Sequence, residues 1–172
     1  MVTGDDGLHG DRDDVADSHA ELPVDPDADE LRPRPLHWRP TTLLLVFCGG
    51  VLGTGLRFAG ETLRPHEGAG WPWATFIINL AGAFILGALL EGLARSGGDT
   101  GWRQRVRLFA GTGFCGAFTT YSTLALEVSL LGKGRQISVA VGYGLGSVVL
   151  GVVVAWLGIV SAAEVHRRRV HS

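Results

Sequence analysis

Polar side chains stand in the middle of long apolar stretches of this chain, and their chemistry needs an explanation. The second, third and fourth of four such stretches carry them: Thr75, Asn79, Thr119, Thr120, Tyr121, Ser122, Thr123, Glu127, Tyr143 and Ser147. A polar side chain inside a bilayer costs free energy unless it is satisfied, so such residues are functional candidates by default. Tyr143 and Ser147 are four residues apart and therefore share one helical face. We expect the functional site inside a bundle of membrane helices.

The segment from Gly111 to Gly116 matches the G-x-G-x-x-G pattern of dinucleotide-binding folds, but its surroundings argue against that function. The fingerprint requires a preceding strand, a following helix and an acidic residue about twenty positions further on. Here an apolar stretch continues, and the next acidic residue is Glu127. Three glycines followed by Thr119 and Thr120 can instead interrupt a membrane helix, where the freed carbonyls line a cavity or hold an ion. We predict a break in this helix.

An enzyme is not predicted, because the sequence offers no nucleophile with a base, no metal-ligand cluster and no phosphate loop in a suitable setting. Cys48 and Cys115 lie in apolar stretches without a Cys or His partner at metal-ligand spacing. We expect two buried free thiols. The sequence gives no indication of a nucleic-acid partner.

Four apolar stretches are long enough to cross the roughly 30 Å hydrocarbon layer of a bilayer. Short charged loops separate them, and they cover about residues 41–58, 71–93, 106–131 and 137–162. A soluble bundle would need a polar face on each helix, but residues 75–90 and 138–161 carry no charge. The predicted fold class is an all-α membrane protein with four transmembrane helices, of which the third is broken at a Gly/Thr-rich segment. Two glycine pairs have the four-residue spacing that lets membrane helices approach closely, Gly49 with Gly53 and Gly142 with Gly146.

Charge divides the chain into two parts. Residues 1–30 hold eleven of the seventeen acidic residues and one base, a net charge of −10, which leaves +8 for the remainder. This first part is poor in large apolar residues, so it cannot bury enough surface to offset the entropy of ordering it. It also lacks the features of a secretory signal. We predict a disordered acidic tail over residues 1–38, a transmembrane domain over residues 39–165 and a basic cytoplasmic tail over residues 166–172.

Loop charges predict the orientation, because Lys and Arg are retained on the cytoplasmic side of a membrane. Four cationic residues fall on one side of the predicted bundle: Arg57, Arg64, Lys133 and Arg135. Ten fall on the other: Arg32, Arg34, Arg39, Arg95, Arg103, Arg105, Arg107, Arg167, Arg168 and Arg169. We predict a multi-pass protein of the cell membrane with both termini in the cytoplasm.

The string from Gly113 to Thr123 resembles the third-span signature of the CrcB/Fluc family of fluoride channels. Other segments are similar to family motifs in the same order: Gly49 to Gly53 with Arg57, Asn79 to Gly82, and Tyr143 with Ser147. The resemblance covers roughly residues 45–150 and is most specific in the Thr-Thr-aromatic-Ser-Thr string.

The resemblance implies an antiparallel dimer of four-helix subunits, two fluoride pores and a central sodium ion held by main-chain carbonyls at the helix break. Carried over to this sequence, the sodium ligands are the carbonyls of Gly116 and Thr119. The pore-facing residues are Asn79, Tyr121, Ser122, Thr123, Tyr143 and Ser147, with Glu127 near the pore. Amide and hydroxyl donors suit this role, because a small hydrated anion leaves water only where donors replace its shell.

One position departs from the family pattern. The family typically places Phe at two aromatic pore positions, and here these are Tyr121 and Leu124. Leucine has no electropositive ring edge to attract an anion. Together with the unequal loop charges, this suggests a subunit of fixed orientation that dimerises with an inverted, non-identical partner; a homodimer is the other possibility.

Two other functions remain open at this point. Small four-helix multidrug exporters use a membrane carboxylate to bind protons and cationic drugs, and Glu127 is a membrane carboxylate. Their essential acid lies in the first span, however, and residues 41–56 contain none. The second alternative, a non-conducting subunit that supports its partner, follows from the Leu124 departure.

Overall fold

The computed structural model of the chain describes residues 39–64 and 70–170, so the whole predicted acidic tail, residues 1–38, lies outside the described residues. Helix α1 spans Pro40–Leu63 and begins at a proline, whose fixed φ and missing N–H suit the first helical turn. Helix α2 spans Trp73–Arg95. The third membrane helix consists of α3 (Gly101–Val106), a π-helical segment (Arg107–Cys115), α4 (Gly116–Phe118) and α5 (Tyr121–Lys133). Helix α6 spans Ile137–Val170.

Four helical stretches are long and apolar enough to cross a membrane, and they confirm the four predicted spans: Pro40–Leu63, Trp73–Arg95, Gly101–Lys133 and Ile137–Arg169. The described residues are helical apart from short connections. All four helices end beyond the predicted spans, by two residues in α2 and by more in α1 and α6, because a helix can continue into the headgroup region once its apolar stretch has ended. Arg57 lies inside α1, as its place in the predicted span 41–58 implied, and residues 166–170 of the predicted basic tail continue α6.

The third membrane helix is broken within the predicted Gly/Thr-rich segment, at its threonines and not at its glycines. The G-x-G-x-x-G segment is π-helical and then α-helical, which agrees with the rejection of a dinucleotide site. The interruption comes at Thr119 and Thr120, whose φ/ψ values of −78°/155° and −144°/120° are extended. The glycines instead let neighbouring backbones approach.

Close backbone contacts hold the helices in two pairs. A Cβ on Gly49 or Gly53 of α1 would collide with the carbonyl oxygens of Phe109 and Phe114. Gly87 of α2 and Gly158 of α6 lie equally close to each other's helix backbones. Gly142 and Gly146 do not serve this purpose, because a Cβ at either would make ordinary contact with the ring of Trp71, at 3.7 and 3.5 Å.

Few large side chains are fully enclosed within the single chain. A buried cluster contains Phe76, Leu131, Ala140 and Tyr143, with Leu124 packed against it. Many large apolar residues are exposed along the spans, as expected where lipid or another subunit covers them. The prediction that both thiols are buried is wrong for Cys48, which lies on the outer surface of α1, and correct for Cys115.

Candidate functional site

The side chain of Asn79 spans the break in the third membrane helix. Its Oδ1 accepts a hydrogen bond from the Thr120 backbone N–H at 2.8 Å, and its Nδ2 donates to the Thr120 carbonyl at 3.0 Å. The N–H of Thr120 can only donate, so the amide has one possible orientation. Asn79 thus gives the extended backbone of Thr120 the hydrogen-bond partners that a continuous helix would have supplied. One Nδ2 proton of Asn79 remains for another acceptor.

The same bonds release two backbone carbonyls. In a continuous helix the Thr120 N–H would donate to Gly116 and the Thr123 N–H would donate to Thr119. Here the first donates to Asn79, and the second donates to the Thr120 hydroxyl at 3.2 Å. The carbonyls of Gly116 and Thr119 are therefore free of their usual helical donors, which fits the oxygen ligands that an alkali cation requires.

Three hydroxyl groups gather at the N-terminus of α5. Thr120 is the N-cap residue, and its Oγ1 lies 3.2 Å from Ser122 Oγ and 3.0 Å from Thr123 Oγ1. This cap satisfies a backbone donor that would otherwise be exposed by the break. Of the predicted pore residues, Ser122 and Thr123 belong to this group.

Glu127 and Tyr143, also predicted pore residues, belong to a second group. The Tyr143 hydroxyl donates to Glu127 Oε2 at 2.6 Å, and the Thr75 hydroxyl donates to Glu127 Oε1 at 2.8 Å. Tyr143 and Thr75 are fully buried. Both carboxylate oxygens therefore have a donor, which lowers the cost of placing this carboxylate within the bundle.

An open groove of about 370 Å³ runs beside the break. Asn79, Tyr121 and Ser147 line it, and so does Leu124, the residue that departs from the family pattern. Ser147 Oγ is buried and has no hydrogen-bond partner among the described residues. Tyr121 is 83% exposed, so its ring is available to whatever covers the groove.

The Glu127 group and the groove residues Asn79 and Ser147 form two successive levels of what we call the polar column. Helices α2 and α6 run in the same direction, as the Gly70 N–H to Gln136 Oε1 bond near their starts and the Gly87–Ala155 contact further along show. The steps from Thr75 to Asn79 and from Tyr143 to Ser147 are one turn each, about 6 Å. The Glu127 level thus lies one turn from the level of Asn79 and Ser147.

Two residues of this column were singled out in the sequence as polar residues within the spans but were given no pore or metal role. Thr120 caps α5, and Thr75 holds Glu127. A signal existed for Thr75, because it precedes Asn79 by four residues and shares its helical face. The described residues contain no group of three His, Cys, Asp or Glu side chains that could hold a metal ion, so a cation here would depend on carbonyl oxygens.

Comparisons with known proteins find relatives that cover most of the membrane-spanning part of the chain. Residues 44–159 match the model of the family described as CrcB-like protein, Camphor Resistance (CrcB). Fluoride-specific ion channel FluC 1 of Cutibacterium acnes is 43% identical over 131 residues, which are 76% of this chain and 92% of that protein. Fluoride-specific ion channel FluC 2 of Leifsonia xyli subsp. xyli is 41% identical over 135 residues, covering 78% and 92% of the two chains. The FluC channel of Phenylobacterium zucineum is 40% identical over 124 residues, covering 72% and 96%.

Proposed function

We infer that this chain, which belongs to the CrcB family, is a subunit of a fluoride channel and not an enzyme. It lets cytoplasmic fluoride leave the cell by passive conduction and so reduces fluoride toxicity. The observation that carries this function is the polar column, in which a buried hydroxyl and an amide with a spare proton face one groove.

The column suits a small anion that must both bind and leave. Fluoride exchanges its water shell for donors, and Asn79, Tyr121 and Ser147 offer such donors along the groove. Lys and Arg are absent from the described residues that line the groove. A fixed cation there would hold the anion too strongly for conduction, whereas neutral donors allow release.

We propose that the carbonyls of Gly116 and Thr119 hold a structural sodium ion. The loss of their usual helical donors supports this proposal, because a carbonyl that loses such a donor in a membrane needs another partner. The ion would supply a positive charge beside the break. Asn79 contributes indirectly, since it removes the Thr120 N–H from Gly116.

We also propose that a second, inverted subunit completes the pore. The groove is open along one side, and the ring of Tyr121 stands at its edge with 83% of its surface exposed. An inverted neighbour would enclose the groove and add its own donors. Leu124 lines the groove without an electropositive ring edge, which favours a non-identical partner over a homodimer.

The decisive experiment is fluoride efflux from liposomes, followed with a fluoride electrode. The chain is reconstituted alone and then together with a homologous subunit from the same cell. Efflux from either preparation supports the channel, and efflux only from the mixed preparation supports the non-identical pair. Silence in both, with insertion verified, would contradict the function, and proton-coupled export of ethidium would favour the exporter.

A further inference from the structure

A second cavity lies where α2 turns into α3. It has a volume of about 190 Å³. Leu90, Leu93 and Ala94 of α2 give it an apolar wall, and Arg103, Arg107 and one carboxylate, Asp99, give it a charged one. An apolar wall beside two guanidinium groups matches a ligand that is itself part hydrocarbon and part anion.

Both arginines are held in place by the protein. Arg103 donates from Nε to the Gly98 carbonyl at 2.8 Å and from Nη1 to the Ser96 carbonyl at 3.0 Å. Arg107 forms a two-bond ion pair with Asp99, at 3.0 Å from Nε and 2.6 Å from Nη2. A guanidinium has five N–H donors, so each arginine keeps donors beyond these bonds. Little side-chain entropy remains to be lost when an anion binds.

The length of α2 indicates that the cavity lies at the depth of the lipid headgroups. Helix α2 has 23 residues and a length of about 35 Å, so its last turn reaches the edge of a hydrocarbon layer about 30 Å thick. Trp102 is 59% exposed, and the Arg103 guanidinium lies 5.9 Å from the centre of its ring. Exposed tryptophan beside arginine is typical of the membrane interface.

We propose that this cavity binds an anionic phospholipid. The phosphate is bound by Arg103 and Arg107, and an acyl chain packs against Leu90, Leu93 and Ala94. Residues 91–107 carry four arginines against two acidic residues, so the charge of the corner complements the headgroup. The apolar wall favours a lipid over free phosphate, because it stabilises only a ligand that has a chain. The site does not depend on ion conduction.

Native mass spectrometry of the purified full chain in mild detergent tests this site, with phosphatidylglycerol and phosphatidylcholine as probes. We expect the chain to retain phosphatidylglycerol selectively and the double variant Arg103→Gln/Arg107→Gln to retain at least tenfold less. The matched control is Arg167→Gln/Arg168→Gln, which removes two arginines that pair with Glu164 at the end of α6. The control should retain lipid as the parent does.

A second variant separates the acyl chain from the charge. Ala94→Phe fills the apolar side and leaves both arginines in place, so it should also lower retention. If the double variant Arg103→Gln/Arg107→Gln does not fold, as judged by its helical content, the lipid retention of Arg107→Gln alone and of Ala94→Phe tests the proposal. Equal loss in the α6 control, unchanged retention in Ala94→Phe, or displacement of the lipid by inorganic phosphate at equal concentration would each overturn the proposal.

Discussion

At the scale of a single residue, a substitution of Ser147 distinguishes a structural role of its hydroxyl from a role in conduction. Its hydroxyl is buried, lines the groove and makes no hydrogen bond to the described residues, so its removal takes no bond from the fold. Ser147→Ala should therefore leave thermal stability unchanged and lower fluoride efflux about tenfold, because a hydrogen bond to a charged group contributes about 1.5–3 kcal/mol. Liposome efflux and a melting curve measure the two effects.

Ser161 is the matched control for this substitution. It lies on the same helix, but it is exposed and its hydroxyl donates to the Leu157 carbonyl. Ser161→Ala should leave efflux at the level of the parent. Equal efflux from both variants would show that Ser147 is off the anion path.

Asn79 combines two roles, and an isosteric change distinguishes them. Asn79→Asp keeps an oxygen for the Thr120 N–H but replaces the donor to the Thr120 carbonyl and places negative charge beside the groove. We expect insertion and helical content to persist while efflux falls below detection, because a fixed negative charge repels the anion. Efflux at the parent level would show that Asn79 lies outside the anion path and that its only role is to bond the backbone of Thr120 at the helix break.

The types of these residues were readable from sequence, but their grouping was not. Asn79 and Ser147 stood out because polar residues are rare in membrane spans. That Asn79 also bonds both backbone groups of Thr120 depends on how α2 meets the break, which spacing along the chain does not reveal. The hydrogen bonds from Thr75 and Tyr143 to Glu127 join three helices. They likewise depend on how the helices pack, which spacing along the chain does not reveal.

At the scale of elements, the contact between α1 and the π-helical segment depends on the absence of side chains. Gly49→Ala would place a Cβ against the Phe109 carbonyl, so the helices must separate. We expect a loss of about 1–3 kcal/mol in stability, the usual cost of overpacking. Gly55→Ala is the control, because nothing lies within 4 Å of its Cβ, and helix propensity should make it neutral or slightly stabilising.

Thermal unfolding in detergent compares the two glycine variants. A melting temperature for Gly49→Ala equal to that of Gly55→Ala would mean that α1 can move away without loss. Gly53 offers a repeat of the test against the Phe114 carbonyl, one turn along the same face.

The elements themselves followed from apolar length, whereas the residues at which the third helix breaks and the helices pair depend on tertiary contacts. Four spans of sufficient length and low charge leave few other folds in a bilayer, so the predicted helices agree with the structure. The glycine-rich pattern correctly indicated an irregular third helix. Within the predicted Gly/Thr-rich segment the break falls at Thr119 and Thr120, because Asn79 and the Thr120 side chain supply the missing partners there. The pairing of Gly87 with Gly158 likewise depends on tertiary register.

At the scale of the whole molecule, four crossings place the start of α1, the turn between α2 and α3 and the end of α6 on one side of the membrane. Among the described residues, this side carries eight arginines, and the other side carries Arg57, Arg64, Lys133 and Arg135. Such a difference favours one orientation, since cationic loops resist translocation. A subunit of one orientation needs a separate inverted partner to form the proposed pore.

A reporter fused after Ser172 tests the orientation. We expect a fused reporter enzyme that works only in the cytoplasm to show activity. A fused reporter enzyme that works only outside the cell should show none. If both reporters are active, the chain inserts in both directions, and a self-sufficient inverted homodimer replaces the paired subunit. Exclusive activity outside would contradict the predicted orientation itself. Two double variants serve as a control for charge. Arg103→Gln/Arg105→Gln should increase insertion in both orientations more than Arg57→Gln/Arg64→Gln does. Only the first pair lies on the side where cationic loops are retained in the cytoplasm.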